Sequence, residues 1–97
     1  MNQITMTARA FENNDPVHHE VSAYEVAPGL GVHRHPYFNY WVVAHIKSGY
    51  KIASPFPSRK AAVEFAERVR GLTDWTQPAD KIGSNMGLHD AVQKEKA

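Results

Sequence analysis

Six histidines in 97 residues make metal chemistry the first possibility to weigh. His33 and His35 stand two residues apart. On a strand such a pair points to one face, and two imidazoles so placed can chelate one ion. A third ligand could be His45 or Glu25, but nothing along the chain fixes either nearby. Pro36 also threatens the arrangement, because proline ends strand pairing at the residue before it. Two histidines are a weak motif, so they are read as strand-end residues and no metal or other cofactor is assigned. His18 and His19 fall in an expected loop and are treated alike. His45 lies in the strongest strand, where a hydrogen-bonded, half-buried imidazole is a simpler role than a catalytic base.

Nucleophilic catalysis needs a nucleophile held beside a base and an oxyanion site. Ser22, Ser48, Ser54, Ser58 and Ser84 are present, but none sits in a nucleophile elbow. Ser48 is explained as a turn residue and Ser58 as a helix cap. Glu64 and Glu67 belong to the solvent face of a helix and do not form an acid–base pair. Gly29-Leu30-Gly31 lacks the third glycine and the following helix of a phosphate loop. These residues argue against an enzyme.

Binding is the more physical option. Residues 33–41, His-Arg-His-Pro-Tyr-Phe-Asn-Tyr-Trp, interleave basic and aromatic side chains. Arg34, Tyr37 and Phe38 are the candidates within it. Tyr, Trp and Arg dominate protein interface hot spots, and the same types stack unpaired bases and hold phosphates. The competing structural role puts Tyr40 and Trp41 in the core and uses Tyr37 and Phe38 to clamp the loop. Arg59 and Lys60 form a second candidate patch at a helix start, where free N–H groups and the helix dipole already favour an anion.

The elements that must carry these residues follow from periodicity. Residues 1–19 are expected to be weakly structured; Asn13-Asn14-Asp15-Pro16 is a turn signal, and the alternation at Ile4, Met6 and Ala8 allows only a short edge strand. The β signal strengthens from Glu20 and runs to a turn at Pro28-Gly29. A short strand, Leu30 to Arg34, follows. Tyr40 to Ile46 is the clearest strand, apolar enough for cover on both faces. Lys47-Ser48-Gly49 turns the chain into Tyr50 to Ser54. A two-residue turn pairs His45 with Ile52 and Val43 with Ser54; a three-residue turn pairs Ala44 with Ile52 and exchanges the faces.

Ser58 caps an amphipathic helix from Arg59 to Arg70. Its apolar stripe is Ala62, Phe65, Ala66, Val69 and then Leu72 or Thr73. Gly71 is expected at the left-handed position that closes the helix, and Trp75 is expected to fold back onto helix or sheet. Residues 84–94 allow a short last helix, weakened by Gly83 and Gly87, and 93–97 read as a frayed tail.

Composition bounds the rest. A chain of 97 residues makes one domain and buries about 60–65% of its unfolded surface. Eleven Lys and Arg against ten Asp and Glu give a net charge of +1, which argues against a dedicated basic nucleic-acid binder. The absence of cysteine excludes disulfides, thiolate metal sites and thiol catalysis. No apolar run approaches the ~20 residues that span a bilayer, and residues 1–6 lack the pattern of a secretory leader. The expectation is a cytoplasmic protein without membrane contact.

Trp41-Val42-Val43-Ala44-His45, Ser48-Gly49, Pro55, Ala61-Ala62, Ala66 and Leu72-Thr73-Asp74-Trp75-Thr76 loosely resemble small uncharacterised accessory proteins of bacterial plasmids, integrative elements and phages. The resemblance covers residues 30–78 and transfers no site residue. It implies a factor that binds host or element macromolecules. The expected fold is α+β, a three- or four-stranded antiparallel sheet with helix 58–70 on one face. The expected function is non-enzymatic binding of a protein, as a regulatory or inhibitory factor. Single-stranded nucleic-acid binding through 33–41 with Arg59 and Lys60 is the alternative, and a histidine metal site is a weaker third.

Overall fold

The computed structural model describes residues 2–12, 15–78 and 92. Five strands precede one helix: β1 (Asn2–Glu12), β2 (Asp15–Ala27), β3 (Leu30–Arg34), β4 (Trp41–His45), β5 (Lys51–Phe56) and α1 (Arg59–Val69). The strands form one antiparallel sheet in chain order. Short connections explain that order, since antiparallel neighbours need only a tight turn. No helix among these residues is long and apolar enough to cross a membrane.

The N-terminal segment corrects the expectation of weak structure and of three or four strands. Asn2 to Glu12 pairs residue for residue with Glu25 to Asp15. Every second residue of β1 is apolar at Ile4, Met6 and Ala8, and Met6 and Ala8 are buried. Its burial depends on strands far along the chain, with Met6 packed beside Val42 and Ala44. The expected short helix over 84–94 and the tail over 93–97 lie outside the described residues, except that Val92 is buried in the helix-side core.

Strand alternation divides the molecule into two cores. Leu30, Val32 and Val43 face α1 and pack with Ala62, Phe65 and Val69. The neighbouring residues on the same strands turn the other way, so Val42 and Ala44 form a second cluster with Ala23 and Met6. β3 and β4 are therefore buried on both sides, as the continuous apolarity of Tyr40 to Ile46 implied.

Met6 lies on β1, yet it packs with residues of β4, from which β2 and β3 separate it in the ladder. A straight 13-residue strand would span about 43 Å, while the longest dimension of the fold is 30 Å. The β1–β2 ribbon must therefore curl over the second face. Only Ala23 to Ala27 of β2 pair with β3, leaving the rest as a two-stranded ribbon free to twist strongly. A register shift between Glu25 and Ala27 adds bend where the ribbon departs.

The helix begins as its sequence suggests. Ser58 is extended and its hydroxyl accepts the Ala61 N–H at 3.1 Å. Ala62, Phe65, Ala66 and Val69 are buried. Its end differs. Positive φ is found at Gly29 and Gly49 and not at Gly71, and Leu72 is exposed. Trp75 supplies the closure instead, folding back so that its Nε1–H donates to the Val69 carbonyl at 3.1 Å. The Val69 carbonyl, one of those a helix end leaves open, thus accepts both the indole and the Leu72 N–H, the latter at 3.0 Å.

Neither expected register of the β4–β5 hairpin holds throughout. Trp41 faces Phe56, Val43 faces Ala53 and Ala44 faces Lys51, with a shift at each step. The strand also runs on through Pro55 to Phe56 rather than stopping at Ser54. Two irregularities let β5 sit at the sheet edge, where proline and bulges are tolerated.

Candidate interaction surface

The connection from β3 to β4 is residues 35–40. Its base is closed by the His35 N–H donating to the Tyr40 carbonyl at 2.8 Å. Inside it, the His35 Nδ1 accepts two backbone bonds, from the N–H of Tyr37 at 3.1 Å and from that of Phe38 at 3.2 Å. The imidazole thus plays the part that a short Asx side chain plays in a turn. Arg34 donates to Asn39 Oδ1 across the loop. From β2, the His19 Nε2 meets the Tyr37 hydroxyl at 2.5 Å, the two rings lying edge to face at 4.9 Å.

These bonds fix a set of rings. The His35 ring centroid lies 5.0 Å from that of Phe38 and 4.8 Å from that of Tyr40. Phe38 and Tyr40 are parallel within 6° at 6.0 Å. Tyr40 packs partly against the second core, so the stack is founded on the sheet. Its outer members remain open: Tyr37 is 49% and Phe38 61% exposed. Tyr37 and Phe38 are thus neighbouring large side chains held from beneath and left open above.

Alternation separates the residues that looked contiguous in sequence. Arg34 pairs with Trp41 on the helix side of the sheet. His33 pairs with Val42 on the other. Arg59 belongs with the former, its guanidinium 4.8 Å above the Tyr24 ring, which lies 6.4 Å from the ring of Trp41. Such stacking offsets part of the cost of placing a cation at a helix N-terminus. Lys60 is exposed beside it. The structure therefore holds Tyr37 and Phe38 on the loop, with Arg34 at its base reaching across to Asn39, and sets Arg59 and Lys60 on the helix side of the sheet, the side that also carries Arg34 and Trp41.

The other histidines have structural duties. His33 is buried at 3% exposure, and its Nδ1 donates to the Arg34 carbonyl at 2.8 Å. Burial holds its pKa below the usual 6.5, against the opposing pull of that carbonyl. His45 is equally buried and ties two segments together. Its Nε2 donates to the Gln77 carbonyl at 2.8 Å, and its Nδ1 lies 2.6 Å from the Ser48 hydroxyl, which also accepts the Tyr50 N–H. Among the described residues no three His, Asp or Glu side chains converge as metal ligands. An open depression between the ribbon and the β4–β5 turn, floored by Met6 and Ile46 and rimmed by Thr5, Thr7, Glu20, Lys47 and Ser48, had no signal in the sequence.

His19 is the member of the loop site that sequence reasoning missed. It lies 18 residues from Tyr37, and only the curl of the β1–β2 ribbon brings it there. Asn39 was also missed, although a polar residue at a loop tip beside an arginine is a usable hint.

Fold and site together define a small α+β domain: a five-stranded antiparallel meander, one helix, and an aromatic loop joining β3 to β4. No family model, curated protein or solved structure matches the chain.

Proposed function

We propose that this chain is a non-catalytic accessory protein that binds a protein partner through loop 35–40, with Tyr37 and Phe38 as the inserted side chains. The observation that carries this reading is the exposure of two aromatics on a braced loop. Rings fixed before contact lose little further freedom when they are buried, so more of their hydrophobic gain appears as affinity. The standing cations near the loop are Lys51 and Arg34 at its flank, which suits a partner with an acidic rim. A regulatory or inhibitory role on a bacterial mobile element is in keeping with the resemblance over residues 30–78.

The parallel Phe38 and Tyr40 rings favour one second reading, a stacking platform for single-stranded nucleic acid. The phosphate contacts would fall to Arg34 at the base of the loop, with Arg59 and Lys60 on the same side of the sheet as Arg34.

The test is affinity capture from bacterial lysate on immobilised wild-type protein and on the Tyr37→Ala/Phe38→Ala variant. A species held by the wild type and lost from a variant of unchanged thermal midpoint supports the loop as an interface. Identical captures from both proteins, or none, would sink it. Tight binding to random oligonucleotides that weakens steeply with salt would transfer the loop to the second reading.

A further inference from the structure

We infer that His35 makes the presentation of Tyr37 and Phe38 conditional on pH, the ordered loop persisting only while its imidazole is neutral. The inference rests on loop 35–40 being the binding surface and adds how that surface is controlled. Both groups facing the His35 Nδ1 are N–H donors, from Tyr37 and Phe38. The nitrogen must therefore offer a lone pair, and the ring proton resides on Nε2. A second proton has only Nδ1 to occupy. It turns a double acceptor into a donor that confronts two donors, and the two amides must leave for water.

The surroundings oppose that proton as well. The groups acting on the ring are His33 from β3, Lys51 from β5 and His19 from β2, each a cation or able to become one. Tyr37 and Tyr40 place their rings against it, and Arg34 is the cation next to His35 in sequence. Burial first, and these charges after it, hold the His35 pKa below 6.5.

His19 is a poor candidate for the same control. Its Nε2 faces the Tyr37 hydroxyl, and a protonated imidazole can still donate to a phenol oxygen. Acid therefore spares that bond and breaks the amide pair.

The experiment follows the amide hydrogen exchange of Tyr37 and Phe38 by NMR in the full chain between pH 8 and 5, each rate expressed against its intrinsic value. Protection should fall as pH drops below about 6.5, the ordinary value of an imidazole, by up to about tenfold per pH unit, and level off once the His35 ring resonances show the ring protonated. His35→Asn places an amide oxygen where Nδ1 stands and cannot titrate there, so protection should stay constant within about twofold. His35→Asp keeps the acceptor too, and the loss should move down into the carboxylate range. Protection independent of pH in the wild type overturns the inference, and so does an equal loss in His35→Asn. No partner enters the measurement, so failure of the gate and failure of the interface are read separately.

Discussion

At the scale of single residues, close approach of backbone decides more than side-chain chemistry. Gly29 has φ of 83°, and a Cβ built there would lie 2.3 Å from the Trp75 carbonyl oxygen. The same residue accepts the Ile46 N–H at 2.9 Å, so it joins the β2–β3 turn, the end of β4 and the segment after α1. Gly29→Ala should therefore destabilise the fold by about 2 kcal/mol or more, one part from the left-handed backbone and one from the clash. A thermal midpoint within two degrees of the wild type would contradict this placement of Trp75. The Pro28-Gly29 turn was readable in the sequence because it depends on φ preference alone. The collision partner was not, because it is more than forty residues away.

At the scale of elements, the β1–β2 ribbon is the informative case. Its outer part, beyond the residues that pair with β3, is held to the second core through Met6, with Ile4 and Val21 packed against it. Met6 is 4% exposed and packs with Val42 and Ala44 of β4, so it holds the ribbon down. Met6→Ala should cost about 2–3 kcal/mol, seen as a lower urea midpoint. It should also release His19 from Tyr37, which the edge-to-face ring shift of Tyr37 in NMR spectra reports. Loss of stability without any change at Tyr37 would mean that the curl of the ribbon does not position the loop. The helix shows the contrary behaviour. Its N-cap, its apolar stripe and its length were all legible, since each follows from spacing of 3.6 residues and one serine. Its C-terminal closure was misread, because a tryptophan six residues beyond Val69 does what the nearby glycine was expected to do. Hairpin β4–β5 was legible as a hairpin but not in register. Two shifts within five residues of β4 are set by the sheet edge and the helix above it.

At the scale of the whole molecule, one buried and one partly buried imidazole tie stability to pH. His33 and His35 both have pKa values lowered in the fold, chiefly by burial. Near pH 6.5 the unfolded chain then binds more protons than the folded one, so stability rises with pH there. That contribution is complete above about 6.5, the unfolded value, and is lost as pH falls through the lower folded values. The urea midpoint should be flat from pH 8 to 7 and decline toward 5. A profile that instead improves on acidification would show that these rings gain, and do not lose, from protonation.

Sequence by itself determined what local spacing controls: an α+β chain, four of the strand positions, the helix with its buried face, and a run of aromatic and basic residues fit for contact. Those properties live within one or two turns of backbone. Tertiary structure decided what distant segments do to each other. The curl of a twisted ribbon made the first strand part of a second core and carried His19 to Tyr37. Strand alternation, once the register was set, sent Arg34 and Trp41 to one side and His33 to the other. Burial is a property of the assembled surface, and so only the fold could leave Phe38 open while closing Tyr40 beneath it.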